Sequence, residues 1–276
     1  MAAGFSAGGG PFAGALLVSD MDGTLLTAQF EIPEANLAAI ARFTAGGGLF
    51  TVATGRSVEA VRPYVVRAGV NLPAIAFNGA ALYDFGREET VWQAVLPDSC
   101  HEVLGRVMER FPTVGAELHA ERRLFCVRKS PEGIRHILNE SLRYEETVPE
   151  NVPFNKILFA ADHETLLEVE RFVENIPHEG MYFIFTSPVY FEMVPAGANK
   201  GTALSRLAAM YHIDHDHTYA IGDYYNDVDL IQAAGVGALV KTAPAELQSL
   251  ADYTAADCKS GAVADFIRWI ERQKRP

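Results

Sequence analysis

The feature that most constrains this chain is a repeated pattern: a short apolar run stops abruptly at polar or glycine residues, and a segment of helical length follows. The run Ala-Leu-Leu-Val at 15–18 ends in Ser19-Asp20, Leu49–Ala53 ends in Thr54-Gly55-Arg56, and 74–77 ends in Asn78-Gly79. Continuous rather than alternating apolar runs are what strands covered on both faces require. Between them, Pro33 and Glu34 open a segment in which Leu37, Ile40, Ala41 and Phe43 recur near helical spacing, and Gly46-Gly47-Gly48 closes it. Ser57 is placed to cap a second helix reaching about Arg67. This alternation predicts an α/β fold: a doubly wound, mostly parallel, Rossmann-like core sheet between helices.

A length of 276 residues is comfortable for two modules. The middle of the chain breaks the pattern, with predicted strands at 91–96, 113–118, 124–128, 154–160, 182–185 and 190–194 and helices at 98–110, 132–139 and 163–175. It reads as an inserted α+β domain over 84–192. The core pattern then returns: a helix from Lys200 to about Met210, a strand at 218–221 stopping at Gly222-Asp223, a helix through Ile231, the strand Val236–Val240 and a closing helix at 262–272. The expected division is a core of 15–83 and 193–276, the insert, and a flexible Gly/Ala-rich tail over 1–14.

Ligands of open parallel sheets bind beyond the carboxyl ends of the strands. Those ends carry Asp20, Thr54, Asn78 and Asp223, and the helix at 200 begins with a lysine. If the strands are neighbours, one site holds carboxylates, a hydroxyl, glycine-rich backbone and an ammonium, a mixture that suits phosphate with a hard divalent cation such as Mg2+. On an extended chain Asp20 and Asp22 face the same way. Asp20 is then the candidate nucleophile toward phosphorus, and Asp22 the acid that protonates the departing alcohol and later deprotonates water. Thr54 and Gly55 read as half a phosphate cup, Lys200 as the counter-charge, and Asp223 and Asp227 as cation support.

These residues resemble the haloacid dehalogenase-like hydrolases, and among them the Cof-type phosphatases with an α/β cap of the second class. Asp20-Met-Asp22-Gly-Thr24-Leu25, Thr54-Gly55-Arg56, Asn199-Lys200-Gly201 and Gly222-Asp223 with Asn226-Asp227 look like the four family motifs, in order. The resemblance implies that Asp20 is nucleophile and metal ligand, and that Asp22 is acid/base and offers its backbone carbonyl to the metal. It implies that Asp223 completes the ligands with Asp227 in support, and that Thr54, Lys200 and Asn226 hold phosphate. Asn78-Gly79 resembles a family pair at the third core strand, and 191–195 resembles the strand returning from the cap. Tyr224 and Tyr225 depart from the family, which commonly has a small residue first.

The implied activity is hydrolysis of small phosphorylated metabolites, sugar phosphates foremost, through an aspartyl phosphate. Two alternatives are phosphoryl transfer within a sugar, as in related mutases, and a phosphate sensor without turnover. The formal net charge of −12 disfavours nucleic acid and anionic membranes as partners. No apolar run has bilayer length, and the odd, scattered Cys100, Cys126 and Cys258 fit a reducing compartment, so a cytoplasmic monomer or homodimer is expected. His212, His215 and His217 with Asp214 and Asp216 read as a solvated loop, and Tyr182, Phe183, Phe185, Tyr190 and Phe191 mainly as core.

Overall fold

The computed structural model describes residues 10–273. In chain order the strands and helices are β1 (Leu16–Asp20), α1 (Glu34–Ala45), β2 (Leu49–Ala53), α2 (Val58–Ala68), β3 (Ala74–Ala76), β4 (Ala81–Asp84), β5 (Glu89–Gln93), α3 (Cys100–Arg110), β6 (Gly115–Ala120), β7 (Arg123–Arg128), α4 (Pro131–Asn139), β8 (Lys156–Ala160), α5 (His163–Val173), β9 (Met181–Ser187), β10 (Tyr190–Pro195), α6 (Lys200–Met210), β11 (Thr218–Gly222), α7 (Val228–Ala233), β12 (Val236–Val240), β13 (Tyr253–Ala255) and α8 (Ala262–Gln273).

Eight strands form the core sheet in the order β13-β12-β11-β1-β2-β3-β4-β5. The pairings from β13 to β3 are parallel, and β4 and β5 close the sheet antiparallel. β1, β2 and β11 are buried at every residue, which accounts for their unbroken apolar character. Helix α1 packs on α8, and α6 on α7. Ser57 accepts from the Ala60 N–H to cap α2, which ends at Gly69 in the left-handed region.

The second sheet is antiparallel, in the order β7-β6-β8-β10-β9, with its own core of residues including Phe125, Phe154, Phe159, Leu166 and Phe191. The pairing displaces the expected boundaries. β5 belongs to the core sheet although it lies beyond 84, and β10 stays with the cap sheet through Pro195, beyond 192. The tail expectation also changes at 10–14: Phe12 is buried against Phe43, and its N–H donates to the Gly46 carbonyl. Residues 1–9 of that expectation lie outside the described residues. No described helix is long and apolar enough to cross a membrane.

Candidate active site

The sheet order makes β11, β1, β2 and β3 consecutive neighbours, so the chain ends of four strands face one crevice. Asp20 closes β1, Thr54 follows β2, Asn78 follows β3 and Asp223 follows β11. A cavity of 480 Å³ lies over them, lined by Asp20, Asp22, Thr54, Gly55, Arg56, Asp223, Tyr224 and Asn226 from the core. Lys156, Glu192, His136, Glu140, Thr186 and Tyr190 close it from the cap.

Lys200, Asp227 and Asn78 form the floor of this site. Lys200 Nζ donates to Asp20 Oδ1 at 2.7 Å and to Asp227 Oδ1 at 2.6 Å, with the lysine and Asp227 side chains fully buried. The other Asp227 oxygen accepts from the N–H groups of Asp223 and Tyr224, at 2.9 and 3.2 Å. Both oxygens of Asp227 are thereby engaged, and it shapes the loop that presents Asp223. Asn199 caps α6 through the Thr202 N–H, which holds Lys200 at the first turn.

Two glycines permit the close approaches. A Cβ at Gly23, where φ is +87°, would lie 2.2 Å from Asp223 Oδ2; one at Gly79, where φ is +100°, would lie 2.1 Å from the Asn199 carbonyl oxygen. Gly79 thus packs the β3 loop under α6 and does not line the cavity. Asn78 itself sits in the left-handed region, and its amide bridges Glu192 Oε2 at 2.8 Å and the Asn226 amide at 3.3 Å.

Asp20, Asp223 and Asp227 each offer an oxygen within 4.8 Å of the others, and Asp20 Oδ2 is buried with no hydrogen-bond partner. Burial and the neighbouring Asp227 push the Asp20 carboxyl up to about 7 against the pull of Lys200. Burial, Asp20 and Asp227 push Asp223 up to about 9. Burial opposes the charge of Lys200, but Asp20 and Asp227 outweigh it and raise its pKa. Three carboxylates facing one ammonium, with an idle oxygen among them, are an all-oxygen set that fits a hard divalent cation.

Asp22 is placed differently from the expectation of a continuing strand. β1 stops at Asp20, so the two-residue period does not reach Asp22, which lies in the following turn with its side chain 47% exposed. It still reaches the cavity. Arg56 grips both of its oxygens, at 2.7 and 2.6 Å, and is itself buried beside Phe30 and Tyr64. Thr54 Oγ1 accepts from the Arg56 N–H at 3.1 Å.

Several cap residues were missed from sequence. Lys156 Nζ donates to Glu192 Oε1 and to the Gly55 carbonyl, both at 2.8 Å, so a buried ion pair of the cap docks onto the core loop. The available signal was a single charge inside each of two apolar strands, Lys-Ile-Leu-Phe-Ala and Tyr-Phe-Glu-Met-Val-Pro. His136 sits between Glu117 and Glu140; burial lowers its pKa, but Glu140 and Glu117 outweigh that and push it up to about 10. Glu140 is held at about 2: burial opposes its charge, and His136, Arg56 and Lys156 favour it more strongly. Tyr224 lines the cavity, whereas Tyr225 turns outward to hydrogen-bond Glu246. His215 and His217 are exposed. Phe191 is buried in the cap core, Phe183 and Phe185 pack against it, and Tyr190 borders the cavity.

The profile of the haloacid dehalogenase-like hydrolases matches residues 17–267, and the chain belongs to that family. It is 25% identical to an HMP-PP phosphatase of Klebsiella pneumoniae over 269 residues, spanning 95% of this chain and 97% of the other. It is 23% identical to a pyridoxal phosphate phosphatase of Escherichia coli over 268 residues, 91% and 97% of the two chains. A solved haloacid dehalogenase-like hydrolase of Bacteroides thetaiotaomicron superposes with a TM-score of 0.84 at 24% identity, over 93% of this chain and 99% of that one. By family and relatives, this chain is a hydrolase of phosphatase type.

Proposed function

We propose that this protein is a magnesium-dependent phosphatase of small phosphorylated metabolites, sugar phosphates foremost, acting through an aspartyl phosphate on Asp20. The observation that carries the reading is the buried, unpartnered Asp20 Oδ2 beside Asp223, at the mouth of a cavity closed by the cap. Asp20 and Asp223, with the Asp22 backbone carbonyl, would hold the magnesium, and Asp227 supports Asp223 from below. When bound, magnesium supplies positive charge that offsets the phosphoryl oxygens and the crowded carboxylates.

Asp20 attacks phosphorus while Lys200 balances its charge and keeps one oxygen fixed, leaving the other free to bond. The phosphorus–oxygen bond to the leaving group breaks, and its electron pair takes the proton held by Asp22. Asp22 next removes a proton from water, whose oxygen attacks the acyl phosphate and returns Asp20 as a carboxylate with free phosphate. Thr54, Gly55 and Asn226 receive the phosphate oxygens, and Asn78 orients Asn226. Arg56 positions Asp22 by a fork across both oxygens.

The relatives act on phosphorylated compounds by their names, HMP-PP in one and pyridoxal phosphate in the other, which supports a small-molecule substrate. The cavity of 480 Å³ is of the size that takes such molecules. The test is release of inorganic phosphate from a panel of phosphorylated sugars, nucleotides and cofactors, with and without magnesium, by wild type and Asp20→Asn. Turnover by Asp20→Asn at the wild-type rate refutes the nucleophile. Isomerised substrate without phosphate release refutes hydrolysis.

A further inference from the structure

A second group of ligating side chains lies inside the cap. Glu117 and His119 are two apart on β6 and project from one face of the strand, and His136 on α4 meets them there. Glu117 and His119 are each 1% exposed and His136 8%. Glu117 Oε2 stands 2.8 Å from His136 Nδ1 and 3.4 Å from His119 Nε2, and one ligand atom of each residue lies within 4.8 Å of the other two.

Hydrogen bonding leaves much of this cluster unused. Glu117 Oε1 and both ring nitrogens of His119 are buried without a hydrogen-bond partner. Buried polar atoms are seldom left so, and two idle nitrogens on one interior imidazole call for an unseen partner. Charge points the same way. Around the cluster, the carboxylates of Glu117, Glu140, Glu192 and Asp22 face the permanent cations Lys156 and Arg56. That sets four carboxylates against two permanent cations, an excess of negative charge that favours a cation among them.

We propose that Glu117, His119 and His136 form a zinc site in the cap, separate from the acidic centre of the core. Two imidazoles and a carboxylate are a zinc donor set, whereas magnesium seeks oxygen and keeps its water. Tetrahedral zinc bonds of about 2.0–2.1 Å set ligand atoms about 3.3 Å apart. The pair at 3.4 Å already fits, and the pair at 2.8 Å opens by about 0.5 Å. Glu140 Oε1, 3.5 Å from His136 Nε2, takes the place of the carboxylate that commonly orients a ligating histidine from behind. His136 and Glu140 also border the cavity over the core acids, which gives the ion a way in. Zinc there ties β6 to α4 and so fixes the cap side of the cavity. The site is independent of the aspartyl-phosphate reading, and neither fails with the other.

The test uses the full chain stripped with chelator and titrated with Co2+, then Zn2+, without substrate. Four-coordinate cobalt with nitrogen ligands absorbs strongly in the visible, and six-coordinate cobalt among oxygens only weakly. One equivalent of cobalt is expected to give the strong band, and one of zinc to erase it. His119→Gln and His136→Gln are expected to abolish the band, Asp223→Asn to keep it, and Glu140→Gln to weaken cobalt affinity about 10- to 100-fold. X-ray absorption at the zinc edge of the wild type is expected to show mixed nitrogen and oxygen ligands, a reading that needs no variant to fold. An absent band, a band kept in both folded histidine variants or lost in Asp223→Asn, or an all-oxygen zinc shell overturns the proposal.

Discussion

Removing the Lys200 ammonium tests the central electrostatic argument. In Lys200→Met the volume is nearly kept, but Asp20 and Asp227 lose contacts of 2.7 and 2.6 Å in a site where their side chains are 7% and 0% exposed. Deleting one partner of a buried ion pair costs about 3–5 kcal/mol, because the remaining charge stays desolvated. Each kcal/mol moves the Tm of a protein this size by about 2–4 °C, so a fall of about 6–20 °C is expected in chelator at pH 8. The deficit should shrink toward pH 5, where the orphaned Asp20 carboxyl, already raised by burial, takes up a proton. Calorimetry of wild type, Lys200→Met, Asp227→Asn and the double variant closes a cycle. The double variant should be less destabilised than the sum of the singles by about 0.5–3 kcal/mol. A Tm fall under about 2 °C with additive singles would refute the buried network.

Other outcomes follow from the same geometry. Asp20 and Asp223 have folded values of about 7 and about 9 against an ordinary 3.8, so the fold holds protons that the unfolded chain has shed. Stability of the metal-free protein should therefore fall as pH rises from about 4 to 9, and the Tm gained from magnesium should grow over that window. A magnesium increment that is flat or shrinking with pH contradicts this. Taking the difference with and without magnesium removes the share of His136, whose raised value adds a loss of the same sign. Lys156→Met strands Glu192 in the cap–core contact and should cost about 3–5 kcal/mol in thermal unfolding. Lys156→Met with Glu192→Met should recover most of that stability; no recovery disproves the pairing. Gly23→Ala drives a Cβ to 2.2 Å from Asp223 Oδ2, so isothermal titration should show magnesium affinity at least about tenfold weaker, and unchanged affinity removes Gly23 from the site.

The core was legible because its signals are local. An apolar run buried on both faces looks the same wherever its neighbours lie, and a polar residue at its end marks the active edge of a parallel sheet. That was enough to place Asp20, Thr54, Asn78 and Asp223 at strand ends, and the ordered motifs placed Lys200 and Asp227 with them. The place of Phe191 in the cap core and the exposed histidine loop followed from equally local patterns, whereas Tyr190 turned out to border the cavity. Asp22 shows the limit of such arguments: strand periodicity assigned its direction, but the strand had already ended, and a turn held by Arg56 sets its position instead.

By itself, then, the sequence determined the alternation of strands and helices, the acids and the lysine of the core, and an insert between them. Tertiary structure decided which strands pair across the insert and which cap charges reach the core. Lys156 meets the Gly55 carbonyl across 101 residues of chain, and Glu192 meets Asn78 across 114. Local pattern reports whether a residue will be buried, never which distant partner satisfies it. The meeting of Glu117 and His119 on β6 with His136 on α4 depended likewise on tertiary contact, here between a strand and a helix of the cap.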